Sequence, residues 1–213
     1  MNKLVLFFLL VSISYSQNNL NDKGERDGMW IGYHENGQVK YQGSFSNGKE
    51  VGVFNYYNYD GDLVIKLNYF QVDSSEATLY YDNGSVKAIG QYVNKQKEGL
   101  WSYFDIDGIL NGEERFVNNK LNGECLYFFK NGKLAEKIFY LNNLKEGLFE
   151  VFYPTGFLNM RAFYHQDKLH GLAEFYYDGL NQIEARGKYT LGLKDSVWFF
   201  FNEMGDTMDV ITY

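Results

Sequence analysis

Short runs of large apolar residues alternate with polar punctuation along this chain, and both recur on one period. Gly99-Leu100-Trp101-Ser102-Tyr103-Phe104 runs into Asp105-Ile106-Asp107-Gly108, so that aromatics follow a glycine by two, four and five residues and an Asp-Gly pair closes the frame. The frame starts at Gly28, Gly52, Ser75, Gly99, Gly123, Gly147, Gly171 and Ser196, in steps of 24, 23, 24, 24, 24, 24 and 25 residues. Regularity of that kind marks a repeat array. Positions below are counted from each frame start as 0.

Two turn signals punctuate the repeat. Asn36-Gly37, Asp60-Gly61, Asn83-Gly84, Asp107-Gly108, Asn131-Gly132 and Asp178-Gly179 close the frames, with Thr155-Gly156 and Met204-Gly205 as degenerate copies. Such pairs favour positive φ and predict two-residue hairpin turns. Polar stretches such as Asn47-Gly48-Lys49, Asn94-Lys95, Asn118-Asn119-Lys120 and Asn142-Asn143 precede the next frame. The segments between turns have strand length, and glycines interrupt them before a helix completes three turns. The reading is all-β: an elongated antiparallel meander of eight stacked hairpins of about 24 residues, up to sixteen strands in all. The polar stretch 17–27 is expected to cap one end, 28–213 to form the repeat domain, and Thr207 to Tyr213 to supply the last strand. An open edge there would permit edge-to-edge self-association.

Alternation of side chains separates two faces. Position +5 is aromatic in every copy: Tyr33, Tyr57, Tyr80, Phe104, Phe128, Phe152, Tyr176 and Phe201. These eight residues are the candidate binding face. The second strand of each hairpin adds Phe45, Tyr69, Tyr92, Phe116, Tyr140, Tyr164 and Tyr189, which this reading groups with the +5 ladder. Positions +2 and +4, such as Trp101 and Tyr103, are assigned to the opposite face.

The N-terminus changes the picture of compartment. Lys3 precedes an apolar run from Leu4 to Ile13, too short to span a bilayer. Ser14-Tyr15-Ser16 then offers small residues for cleavage before Gln17, so residues 1–16 read as a signal peptide. The expectation is export, to the periplasm or beyond the cell. The net charge of −7 becomes −8 once the leader and its single lysine are gone. An acidic chain without a basic cluster argues against nucleic acid and anionic membrane surfaces. Cys125 is the only cysteine, so no intramolecular disulfide forms, and its +2 place reads as a small buried hydrophobe.

Asn47-Gly48-Lys49-Glu50-Val51-Gly52, followed by an aromatic strand and a second turn glycine, resembles the MORN repeat, specifically its bacterial variant class. The likeness runs from Gly28 to about Tyr213. It implies a stacked-hairpin sheet acting as a scaffold or interaction surface, with no catalytic residues, and some bacterial members are antitoxin-like. The better-known pattern has glycine at +2, where this chain carries Trp30, Phe54, Ala77, Trp101, Cys125, Phe149, Ala173 and Trp198. With the acidic charge and the leader, that departure argues against the phospholipid binding proposed for other members.

Side chains arranged for chemistry are few. His165, Asp167 and His170 share one turn, but polar turn residues explain them better than a metal site does. Asp105 and Asp107 look like the start of a calcium loop without its flanking helices. Glu124, Glu150 and Glu174 recur near the same frame position, the last two one hairpin apart, but an open sheet gives paired carboxylates no enclosure. No catalytic residue, metal or cofactor is expected. The function read from the sequence is an exported, non-enzymatic scaffold for protein–protein interaction, antitoxin- or immunity-like as a special case. The alternative is an envelope or extracellular glycan-binding module that stacks sugars on exposed aromatic rings.

Overall fold

The computed structural model describes residues 17–213, and the signal peptide expected at 1–16 lies outside them. The two strands of every hairpin pair antiparallel, from Arg26–Tyr33 with Val39–Ser46 to Leu193–Phe201 with Thr207–Thr212, and each hairpin pairs antiparallel with the next. These are eight hairpins in one open meander. The described residues contain 19 strands, because Lys120–Leu121 and Lys168–Leu169 are split from the strands that follow them and Asn19–Leu20 adds a short piece at the front.

The two turn signals exchange the roles expected of them. At the Asn-Gly and Asp-Gly pairs only the glycine has positive φ, as at Gly37 (85°), and the N–H of Gly37 bonds the carbonyl of His34 at 3.0 Å. This is a type I turn followed by a left-handed glycine, a three-residue loop. The two-residue turns with both residues left-handed lie between hairpins, as at Asn118 (49°) and Asn119 (65°). Asparagine tolerates that region better than most residues, which is why it recurs there.

The loops carry a second consequence. Each hairpin has a bulge just inside its loop, where Tyr127 faces Glu136 but Phe128 faces Leu134. One extra residue reverses the in–out parity of everything beyond it. Tyr140 therefore stands opposite Gly123, Phe116 opposite Gly99 and Phe45 opposite Gly28. The second-strand aromatics thus share the face of positions 0, +2 and +4, not the face of +5, which corrects their grouping with the +5 ladder.

That face holds the core. Phe54, Trp101, Cys125 and Trp198, all at +2, are essentially inaccessible to solvent, and the second-strand rings pack on them edge-on. Tyr92 meets Trp101 at 5.0 Å between ring centres and Tyr189 meets Trp198 at 5.2 Å. Phe54, Trp101 and Trp198 lie on the backbone of the preceding hairpin. A Cβ placed on Gly90 would sit 2.2 Å from the indole of Trp101, one on Gly187 2.2 Å from Trp198, and one on Gly43 2.4 Å from Phe54. Where +2 is Ala77, the matching residue of the preceding hairpin is Leu67. A glycine under a large ring and a leucine beside an alanine fill the same row to similar depth.

At the front edge, Asn18 completes the first hairpin by imitating a strand. Its side-chain amide accepts from the N–H of Ile31 at 2.8 Å and donates to the carbonyl of Ile31 at 3.1 Å, while Trp30 Nε1 donates to the carbonyl of Asn19 at 3.0 Å.

The row packing makes a sharp prediction. Gly90→Ala forces the Trp101 indole to move and is expected to cost about 1–3 kcal/mol. Trp101→Ala alone is expected to cost about 3–5 kcal/mol. In a double-mutant cycle read by urea denaturation, the pair should cost well below the sum, because the added methyl then enters space the ring has left.

Candidate functional site

The eight +5 residues do lie on one face, the one turned away from Trp101 and Trp198. Tyr33 is 57% exposed and the other seven are half-buried. Phe201 stacks on Phe199 at 6.4 Å with the Arg186 guanidinium 5.5 Å from its ring centre, and the Tyr176 hydroxyl donates to Glu174 at 2.8 Å. The backbone carbonyls at +5 tie repeats together. His34 bonds the carbonyl of Tyr57 at 2.9 Å, Tyr81 that of Phe104 at 2.9 Å, Tyr153 that of Tyr176 at 2.9 Å and Tyr177 that of Phe201 at 2.7 Å. These +6 stitches went unnoticed in the sequence because their residue type varies.

Two further rows run across the same face. Direct cross-strand pairing places Lys137, Glu150, Arg161, Glu174 and Arg186 side by side, a row of alternating charge. The guanidinium of Arg161 lies 2.9 Å from Glu150, so the two glutamates of the sequence reading are separated by a cation. Next to this row Phe139, Phe163 and Leu172 are 42%, 42% and 50% exposed. Exposed rings beside a band of charge are unusual on a solvated strand face.

The opposite face contains a cavity of about 290 Å³ between the second and third repeats. Its floor includes Leu67 and Ser75, and Tyr56, Tyr69, Tyr92, Glu50, Asp73 and Lys95 surround it. The cavity exists because the array is irregular here. The step from Gly52 to Ser75 is one residue short, and Ser75 lacks the left-handed backbone that Gly52 (65°) and Gly99 (69°) adopt and that Ser196 keeps (62°). The third repeat also has Ala77 where its neighbours have Phe54 and Trp101, so no large ring fills the groove. The sequence names Tyr69 and Tyr92 as ladder aromatics and Ser75 as a frame start, but does not bring the lining residues together as a site. The signal that points to them is the short step together with small residues at Ser75 and Ala77.

Glu50 anchors the cavity wall. The Tyr69 hydroxyl donates to its Oε2 at 2.9 Å. Burial, then the hydrogen bond to Glu50 and its charge, push the Tyr69 phenol well above the ordinary tyrosine range. Tyr56 is pushed up to about 12, again mainly by burial and then by Glu50. Asp73 is paired with Lys49 at 2.8 Å. A similar constellation surrounds Glu114, which accepts from Tyr127 at 3.0 Å and, with burial, raises the phenols of Tyr103 and Tyr127.

The remaining candidates are occupied structurally. Asp105 Oδ1 accepts the N–H groups of Asp107 and Ile109, each at 3.0 Å, and Asp107 pairs with Lys130 at 3.2 Å. His165 bonds Glu146 at 3.0 Å. Among the described residues, no group of three or more His, Cys, Asp and Glu is arranged to hold a metal. Cys125 is buried, and its burial raises the thiol pKa, which disfavours the reactive thiolate.

Comparison with known families matches this chain to the model described as "MORN repeat variant" at residues 26–47, 75–94 and 121–142. No curated protein matches it significantly. Among solved structures, a crystal structure of TarM aligns at 10% identity with a TM-score of 0.34 over 44% of this chain. A glycine-to-arginine mutant of S. aureus TarM in complex with fondaparinux, alpha-GlcNAc-glycerol and UDP aligns at 9% identity with a TM-score of 0.35 over 45%. In both cases the aligned part spans 19% of the TarM chain.

The raised tyrosines set the alkaline limit of stability. Phenols of the unfolded chain ionise near pH 10. Those of Tyr56 and Tyr176, at about 12, ionise later, as do Tyr69, Tyr103 and Tyr127. Above about pH 10 the unfolded state therefore binds fewer protons than the native state, and stability falls as pH rises. The urea midpoint should decline steadily between about pH 10 and 12, with tyrosinate absorbance of the native protein lagging behind that of the unfolded chain.

Proposed function

We propose that this chain, three of whose repeats match the MORN repeat variant, acts as an exported, non-enzymatic scaffold that binds another protein through its charged face. Export rests on the sequence of residues 1–16, where a lysine, a short apolar run and small residues before Gln17 follow the order of a cleaved leader. The observation that carries the binding reading is the exposed row of Phe139, Phe163 and Leu172 beside the alternating row from Lys137 to Arg186. Apolar contact supplies affinity in such a surface and charge register selects the partner. An antitoxin- or immunity-like role is the case in which that partner is a toxin. Glycan binding draws less support, since only Tyr33 among the +5 residues is exposed by more than half.

The test is capture with the mature chain, residues 17–213, from envelope protein and polysaccharide fractions. Phe139→Ser with Phe163→Ser serves as the variant, both side chains being largely outside the core. A stoichiometric protein held by the wild type and lost by the double variant, with the melting transition of the variant retained, is the expected result. Retention of polysaccharide alone, lost in a Tyr33→Ala/Tyr57→Ala variant, would replace this reading with the glycan one.

A further inference from the structure

Four repeats of this array carry an internal cation on their aromatic cluster, and the cation always comes from position −2. The Arg26 guanidinium lies 4.8 Å from the ring centre of Trp30. The ammonium of Lys97 lies 4.5 Å from Trp101 and 4.7 Å from Phe116. Lys145 lies 5.1 Å from Tyr164, and Lys194 lies 4.3 Å from Trp198. Where +2 is small, as at Cys125 and Ala173, position −2 is Leu121 or Leu169, and no cation is present at −2. The pattern follows the attraction of a cation for the electron-rich face of a ring.

The second repeat breaks it. Phe54, Tyr56 and Tyr69 form a full aromatic cluster, with Phe54 6.2 Å from Tyr56 and 5.8 Å from Tyr69 between ring centres. Position −2 is nevertheless Glu50, and in the third repeat it is Asp73. The comparison with Lys97 shows what is missing. Around Lys97 stand three rings, the Glu114 carboxylate, and the Tyr103 hydroxyl at 2.7 Å from the ammonium. Around the cavity stand Tyr56, Tyr69 and Tyr92, with the Glu50 carboxylate bound to a tyrosine hydroxyl, and an opening of about 290 Å³ at their centre. Lys49 already neutralises Asp73, whereas Glu50 has no ion-pair partner among the described residues. Lys95 stands at the rim, on an exposed turn.

We propose that the cavity bounded by Glu50, Tyr56, Tyr69 and Tyr92 binds an alkylammonium group, the side chain of a lysine presented by a protein partner. Lysine is the model because three of the four internal cations are lysines. That the ammonium belongs to a protein rests on the scaffold reading above; the existence of the site does not. Lys95 opposes a cationic guest at the rim, so its removal strengthens binding.

n-Butylammonium tests the site without any partner, followed by NMR of the tyrosine side chains with 1-butanol as the neutral control. The expected result is saturable shifts at Tyr56, Tyr69 and Tyr92, with a dissociation constant on the order of millimolar, and no comparable effect of 1-butanol. Glu50→Gln should weaken binding about tenfold, a change of about 1.4 kcal/mol, and Lys95→Gln should tighten it. Glu50→Lys restores the cation that the other clusters carry, and should abolish butylammonium binding while keeping or raising the melting temperature. Equal shifts with 1-butanol, unchanged affinity in Glu50→Gln, or no shift in either the wild type or Lys95→Gln would overturn the proposal. The Phe139/Phe163 variant alters the opposite face and leaves this measurement unaffected, so failure of one reading is separable from failure of the other.

Discussion

Trp101 is wholly removed from solvent although only one layer of sheet is present, and the means by which this happens governs the rest of the molecule. No second layer covers the ring. It lies flat on the backbone at Gly90 of the preceding hairpin, is met edge-on by Tyr92 from the same side, and is closed from above by the alkyl chain and ammonium of Lys97. The hairpins that precede Phe54, Trp101 and Trp198 thus supply the floor for the next one's ring. A hairpin taken alone would leave its ring exposed, so stability belongs to contacts between repeats rather than to any repeat. The cross-repeat hydrogen bonds at +6 act in the same direction, since His34, Tyr81, Tyr153 and Tyr177 each reach the +5 carbonyl of the next hairpin.

The period, the hairpins and the buried +2 row were legible because they depend on residue type at a fixed spacing. Trp30, Phe54, Trp101 and Trp198 announce the row, and the turn glycines announce the loops. Face assignment was less accessible. Counting alternately through a hairpin places Tyr92 and Tyr140 with the +5 residues, and the single extra residue in the bulge beyond the loop transfers them to the other side. No residue type marks that extra position; Lys40, Lys87 and Ala135 occupy it in different copies. The turn types were exchanged for a related reason. Asn-Gly suits two different loop geometries, and the length of the loop, not the dipeptide, decides between them.

The cavity was legible only as a defect. A step of 23 residues among steps of 24 and 25, with Ser75 and Ala77 in place of a glycine and a large ring, signals that one register is different. What the sequence could not supply is that the rings of Tyr56, Tyr69 and Tyr92 converge there, because the three belong to three different strands. Their convergence accompanies a displaced bulge. Tyr69 faces Ser75 and Ile65 faces Leu79 in one register that slips only between Tyr69 and Gln71, beside the turn, whereas at the next junction the pairing slips between Ile89 and Gln91.

The acids at −2 show that the irregularity is more than a loss of packing. The third repeat, with Ala77 at +2, carries Asp73 where the fifth and seventh carry Leu121 and Leu169, and the second repeat, which keeps Phe54, carries Glu50 where the other large-ring repeats carry a cation. A half-buried carboxylate instead bears a desolvation cost, which here is offset by the tyrosine hydroxyl at 2.9 Å rather than by a cation. An acid at that place lowers stability relative to lysine, since it forgoes attraction to the rings and adds repulsion with their faces. Such a cost is borne where binding offsets it, and the group that best offsets it is the one the other repeats already hold in the same position. The array thus contains both the filled and the open form of one site, and the filled form specifies the chemistry of the guest.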